Sequence, residues 1–120
     1  EQIDNDIEEY GKPMLDKVIE ILEYFEPNYW WIENPQTGRM KHYISEKYPE
    51  YNIYYDVDYC QYSDWGYKKR TRFWTNIVGF EPKLCKAKNH RIQLGHCGRS
   101  QKDNYRIPFK LIKQLLNNTL

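Results

Sequence analysis

A single α/β domain with a mixed sheet is the fold this sequence predicts, and three observations point to it. Apolar residues recur at helical spacing near both ends of the chain. Two central segments instead alternate with a period of two. The predicted order is helix, strand, helix, strand, strand, helix, with the first strand strongly apolar. A helix leading into such a strand ordinarily lies beside parallel strands that come earlier in the chain, and none precede it here. The sequence therefore reads as one part of a larger α/β layer. It opens on Glu1 rather than Met, as expected of a segment from the middle of a longer or processed protein.

The stretch KPMLDKVIEILEYF places Leu15, Val18, Ile19, Leu22 and Phe25 on one stripe, with Pro13 suited to a first helical turn and Pro27 beyond the end. NYWWIE is short, apolar and aromatic, as expected of a strand buried on both faces. NPQTG is a turn, and RMKHYISEKY is a second helix stopping at Pro49. In YNIYYDVDYC, Ile53, Tyr55, Val57 and Tyr59 fall on one side and Asn52, Tyr54, Asp56 and Asp58 on the other. SDWGY turns the chain, and RTRFWTNIVGF alternates again, pairing back on the preceding strand. Residues 81–104 are polar and irregular. IPFKLIKQLL closes as a helix, with Pro108 near its start and Ile107, Leu111, Ile112 and Leu115 apolar.

At 120 residues the chain holds one domain, residues 1–120. Its 12 Tyr, 4 Trp and 4 Phe supply apolar area with polar edges, which serves a core or a groove equally. The formal net charge of +1 does not suit an indiscriminate nucleic-acid binder, but the charge is unevenly spread. Residues 1–33 hold ten acids and two bases, a net of −8; residues 34–120 hold sixteen bases and seven acids, a net of +9. That basic part would suit a polyanion, or would be one of two solvated faces of opposite sign. No apolar run approaches a membrane span, and no secretory pattern is present. Three cysteines make no disulfide framework, which points to a reducing, intracellular setting, the cytoplasm or nucleus of a host if the source is viral. Cys85, His90, His96 and Cys97 could supply four metal ligands, but Cys-x4-His-x5-His-Cys fits no common zinc spacing. No metal is expected.

Two motifs bear on chemistry. Glu33-Asn34-Pro35 stands where an apolar strand ends, the usual place for ligand chemistry in open α/β sheets. Glu33 could equally accept hydrogen bonds from the turn that follows. Arg70 and Arg72 lie two apart, so a strand would put both guanidiniums on one face and Lys69 and Thr71 on the other. Two such forks suit a planar, acceptor-rich group, or make an exposed basic strand.

Taken in order, Glu33-Asn34 and then Arg70-Thr71-Arg72 followed by Phe73-Trp74 resemble the cytosine-5 DNA methyltransferases. That family carries a Glu-Asn pair after its fifth strand and an Arg-x-Arg strand later. IENPQTGRM, DVDYCQY, KKRTRFWTN and YRIPFKLI are most similar to its phage and large-virus members, and the likeness covers most of residues 13–116, the C-terminal half of the catalytic domain. Lys68 stands where the family often has Gln.

The resemblance implies a partial Rossmann-like methyltransferase domain, with DNA as partner and S-adenosylmethionine as cofactor of the complete enzyme. It implies that Glu33 bonds the ring nitrogen of a flipped cytosine, beside Asn34, and that Arg70 and Arg72 help to hold the base. Glu33 is accordingly expected near at least one of these guanidiniums, facing a concave surface. The family's Pro-Cys nucleophile and glycine-rich cofactor loop are not in these residues; Cys60-Gln61 follows Tyr59 rather than Pro and reads as structural. The chain alone is thus expected to bind no cofactor and transfer nothing, with another chain or an upstream segment completing the sheet. Two rival readings are a noncatalytic, methyltransferase-derived structural or interaction protein and a small nucleic-acid-binding module.

Overall fold

The computed structural model describes residues 5–86 and 106–119. Helix α1 (Lys12–Phe25) continues from a single π-helical turn, Ile7–Gly11, and carries Pro13 in its first turn. Leu15 and Ile19 are its buried residues. It stops at Glu26, which takes a left-handed conformation at φ 46° and returns its N–H to the Leu22 carbonyl at 3.0 Å. Pro27 then prevents continuation. Phe25, assigned to the apolar stripe from sequence, is the last residue of the helix and is 70% exposed.

Strand β1 is Trp31–Pro35, helix α2 is Met40–Lys47, β2 is Tyr54–Asp58, β3 is Arg70–Thr75 and α3 is Phe109–Asn117. The turn between β1 and α2 closes through the Gly38 N–H to the Pro35 carbonyl, 2.9 Å. A β-carbon at Gly38 would come within 3.1 Å of both that oxygen and Asn34 Oδ1, so a larger residue would push the turn open by a few tenths of an ångström.

The sheet order is β1-β3-β2, and both pairings are antiparallel. This corrects two expectations. The pairings described are not a mixed set, because β3 inserts between β1 and β2, which run in the same direction. Strand β1 is partly rather than fully buried, because one of its edges has no neighbour among the described residues.

Residues opposite each other in an antiparallel pair share a face, so the register assigns each side chain. Ile32, Arg72, Trp74 and Asp56 lie on one face, and Glu33, Phe73 and Val57 on the other. On the first, Trp74 packs with Leu15 of α1 and Ile44 of α2, with Trp30, Ile32, Met40 and Tyr43 around them. On the second, Val57 and Phe73 pack with Tyr59, Tyr62, Phe80 and the Leu111 and Leu115 of α3. Helices cover both faces of a small sheet, which is an α/β layering.

A single carboxylate ties α1 to α2. Asp16 Oδ1 accepts from Tyr43 Oη at 2.7 Å, from Tyr48 Oη at 2.5 Å and from Lys47 Nζ at 3.2 Å. The Tyr48 hydroxyl, with the Tyr43 hydroxyl and the Lys47 ammonium, holds this carboxyl below its usual range against a smaller opposing effect of burial. A depressed pKa contributes stability that is present above the unfolded value and lost as pH falls through the folded one. Asp16→Asn is therefore expected to lower the melting temperature at pH 7, with the difference closing below about pH 4, where the unfolded carboxyl protonates. Thermal melts across pH 2–7 check this; a difference unchanged in acid would reject it.

Candidate active site at the strand-end cleft

Strand β1 runs out of the layered core at Pro35, and β3 enters beside it. Between them lies a cleft of about 390 Å³ lined by Pro35, Gln36, Thr37, Lys68, Lys69 and Arg70. The Gln36 N–H donates to the Arg70 carbonyl at 3.0 Å and holds the two rims together. Three bases and no acid line this space.

Glu33 lies two residues before that rim. Burial raises its carboxyl pKa, and the Lys69 ammonium partly offsets the effect. Among the described residues the carboxylate accepts no hydrogen bond, so the following turn does not use Glu33 as a cap; Gly38 and Pro35 close that turn instead. The result is a partly dry carboxyl group whose pKa is raised by its surroundings rather than by a hydrogen-bond partner.

The cation that reaches Glu33 is Lys69, not an arginine. Lys69 is 8% exposed, and its Nζ stands 5.4 Å from the centre of the Tyr59 ring. Burial depresses its ammonium, and Glu33 pulls the other way. The Tyr59 hydroxyl, close to that of Thr71, is buried without a hydrogen bond of good geometry. Burial, and next the Glu33 charge, raise its pKa. Glu33, Tyr59, Lys69 and Thr71 thus form one polar cluster under the cleft. Sequence reasoning did not single out Tyr59 or Lys69 as site residues. The available signal was period two, which already set Lys69 and Thr71 on the face away from the arginines.

The arginines stand elsewhere. Glu33 is opposite Phe73 and Asn34 is opposite Arg72, so Arg70 and Arg72 project from the other face of the sheet. The expected closeness of Glu33 to a guanidinium is not what the register produces. Both arginines are instead held side-on by strand β2. Arg70 Nε and Nη2 donate to Asp58 at 3.0 and 2.9 Å. Arg72 Nε and Nη2 donate to Asp56 at 2.8 and 3.0 Å. Arg72 also lies 3.7 Å above the Tyr54 ring, a stacked and anchored position. Arg70 is the freer of the two, with 37% of its side chain exposed and a place on the cleft wall. Facing Asp-x-Asp and Arg-x-Arg at equal spacing was readable from the sequence once antiparallel pairing was assumed.

Asp58 is fully buried and also accepts the Cys85 N–H at 2.6 Å. Burial raises its pKa, but the Arg70 and Cys85 hydrogen bonds outweigh that and leave it below the usual range. Cys60 is a free thiol beside Cys85, and burial raises its pKa, which suits the structural reading better than a nucleophile. No group of three or more His, Cys, Asp or Glu side chains fit for a metal occurs among the described residues. His90, His96 and Cys97 lie outside them. No described helix is long and apolar enough to cross a membrane.

No family model and no solved structure matches this chain. A curated protein does. Over 135 aligned positions the chain is 41% identical to a "Probable DNA (cytosine-5)-methyltransferase" of Frog virus 3 (isolate Goorha). This chain is similar over nearly its whole length to a protein described as a probable cytosine-5 DNA methyltransferase. The match takes in 96% of the chain and 61% of that viral protein, in its C-terminal part. The similarity to that viral protein thus extends over far more of the chain than the two short motifs.

Proposed function

We propose that this chain is the base-holding part of a DNA cytosine-5 methyltransferase-like protein, with Glu33 as its acid. The observation that carries the reading is the Glu33 carboxyl: partly buried, free of hydrogen bonds and raised in pKa, beside a cation-lined cleft at a strand end. A carboxyl group in that state can give a hydrogen bond, and then a proton, to the ring nitrogen of a cytosine flipped out of the duplex. Loss of electron density from the ring favours attack on it by a thiolate, which these residues do not supply. Asn34, the next residue of β1, accompanies Glu33 in this role. Arg70 reaches the base from the cleft wall, and Arg72, stacked and paired, keeps β3 in register with β2.

In the complete protein S-adenosylmethionine would supply the methyl group. The described residues include no glycine-rich strand-turn to hold it, and none is assigned to it here. A Rossmann-like sheet would be completed on the open edge of β1, by an upstream segment or another chain, and the complete protein would work inside the cell on DNA. The chain by itself is expected to transfer no methyl group. Incubation of the purified 120 residues with labelled S-adenosylmethionine and duplex DNA checks this; incorporation above the level of a boiled control would overturn it.

A second reading, a noncatalytic protein of methyltransferase descent, is favoured by the carboxylate partners that already hold Arg70 and Arg72. The two readings differ on Glu33, whose state has no structural use if no base is bound.

A further inference from the structure

The cleft has a second capacity that the reading of Glu33 does not use. Its donors come from two sides, the turn after β1 and the first residues of β3. Arg70 spends Nε and Nη2 on Asp58, so that pair does not employ Nη1. Lys69 is partnered electrostatically by Glu33. Lys68 donates its Nζ to the Cys85 carbonyl at 3.1 Å and feels the Asp58 carboxylate only through space, with no carboxylate bonded to it. The side chains of Gln36 and Thr37 make no hydrogen bonds among the described residues, and Thr37 is exposed.

We propose that this cleft is a phosphate site, in which Lys68, Thr37, Gln36 and the outer edge of Arg70 hold a phosphodiester of the DNA strand. A planar carboxylate offers its lone pairs in one plane, whereas a phosphodiester offers oxygens in several directions, as donors on two facing rims require. A volume of about 390 Å³ accommodates the phosphate with part of its sugar. Placed next to Glu33, the site would fix the backbone flanking a flipped nucleotide without reading any base. The identification of the strand as DNA rests on the proposed function; the phosphate chemistry does not.

The test uses the 120-residue chain and two short duplexes, one with cytosine at a central position and one abasic there. Binding is followed by fluorescence anisotropy over a salt series. Lys68→Met is expected to weaken both duplexes several-fold and equally, and to reduce the slope of log K against log salt by about 1. Lys68→Arg should restore the slope, and Thr37→Val, at an exposed position, should weaken both duplexes less but again equally. An unchanged slope, a loss confined to the cytosine duplex, or no binding by the unaltered chain at low salt would each overturn the site. So would inorganic phosphate binding as tightly as the duplex, which would mark a free-phosphate site. Glu33→Gln separates the two proposals. If it leaves discrimination between the duplexes unchanged while Lys68→Met still reduces the slope, the base-holding reading fails and the phosphate site stands.

Discussion

Replacing Arg70 by Met is expected to destabilise the protein by about 3 kcal/mol, and to lower its melting temperature by roughly 10 °C. The reason lies in the partner, not in the arginine. Asp58 is fully buried, and three of its hydrogen bonds come from Arg70 Nε, Arg70 Nη2 and the Cys85 N–H. Removing the guanidinium leaves a carboxylate in the core with one backbone donor, and breaking a buried pair costs more than forming it returns. The figure is at the low end for such pairs because Arg70 itself is 37% exposed, and water can reach part of the vacated space. The Asp58 pKa sets the pH dependence. It is depressed in the folded protein, so its contribution is present above the unfolded carboxyl value and is lost as pH falls through the folded one. The gap between Arg70→Met and the unaltered protein should therefore narrow in acid. Arg70→Lys should recover charge but not the two-pronged geometry, and fall between them. Denaturant melts at pH 7 and pH 3 decide the matter, and a variant within 0.5 kcal/mol of the parent at pH 7 would refute it. Loss of activity on changing Arg70 would then be read against this loss of fold.

Glu33→Gln should have opposite effects on stability and on chemistry. Burial raises the Glu33 pKa above its unfolded value, so the ionised form is disfavoured in the folded protein. Such a group contributes favourably below the unfolded pKa, and that contribution disappears as pH rises through the folded one. At pH 7 the glutamate is thus a cost, and the neutral amide should make the chain more stable, with the gain vanishing in acid. Residues kept at the expense of stability mark working sites. In a complete protein with the proposed activity, the same substitution should lower the rate by roughly 10²–10⁴-fold, the range for a positioned acid. Carbon-detected NMR titration of the Glu33 carboxyl gives the pKa directly, and Lys69→Met should raise it further by removing the offsetting ammonium. A titration at or below the value of a free glutamate would defeat the acid role. Equal stability of the two proteins at all pH values would do the same.

Much of this architecture was legible in single residues. Leu15 and Ile19 marked the buried face of α1, Leu111 and Leu115 that of α3, and NPQTG the turn after β1. Alternation correctly divided Asp56 and Asp58 from Tyr55 and Val57, and Arg70 and Arg72 from Thr71. Such patterns are local, because a residue three or two places away is fixed by backbone geometry alone. The Glu-Asn and Arg-x-Arg pairs were also enough to place the chain beside the cytosine-5 DNA methyltransferases.

What the sequence by itself determined, then, was which segments are helix or strand, which side chains share a face, and the family resemblance. Tertiary structure alone decided that β3 lies between β1 and β2, since pairing partners are chosen by packing across long stretches of chain rather than by neighbours. That choice set Asn34, not Glu33, opposite Arg72, and so put the acid and the guanidiniums on different faces. It also brought Asp56 and Asp58 against the two arginines and left Lys69 as the cation that Glu33 feels. A shift of one residue in register would exchange every one of these faces, and no local pattern near residue 33 or residue 70 records which register wins.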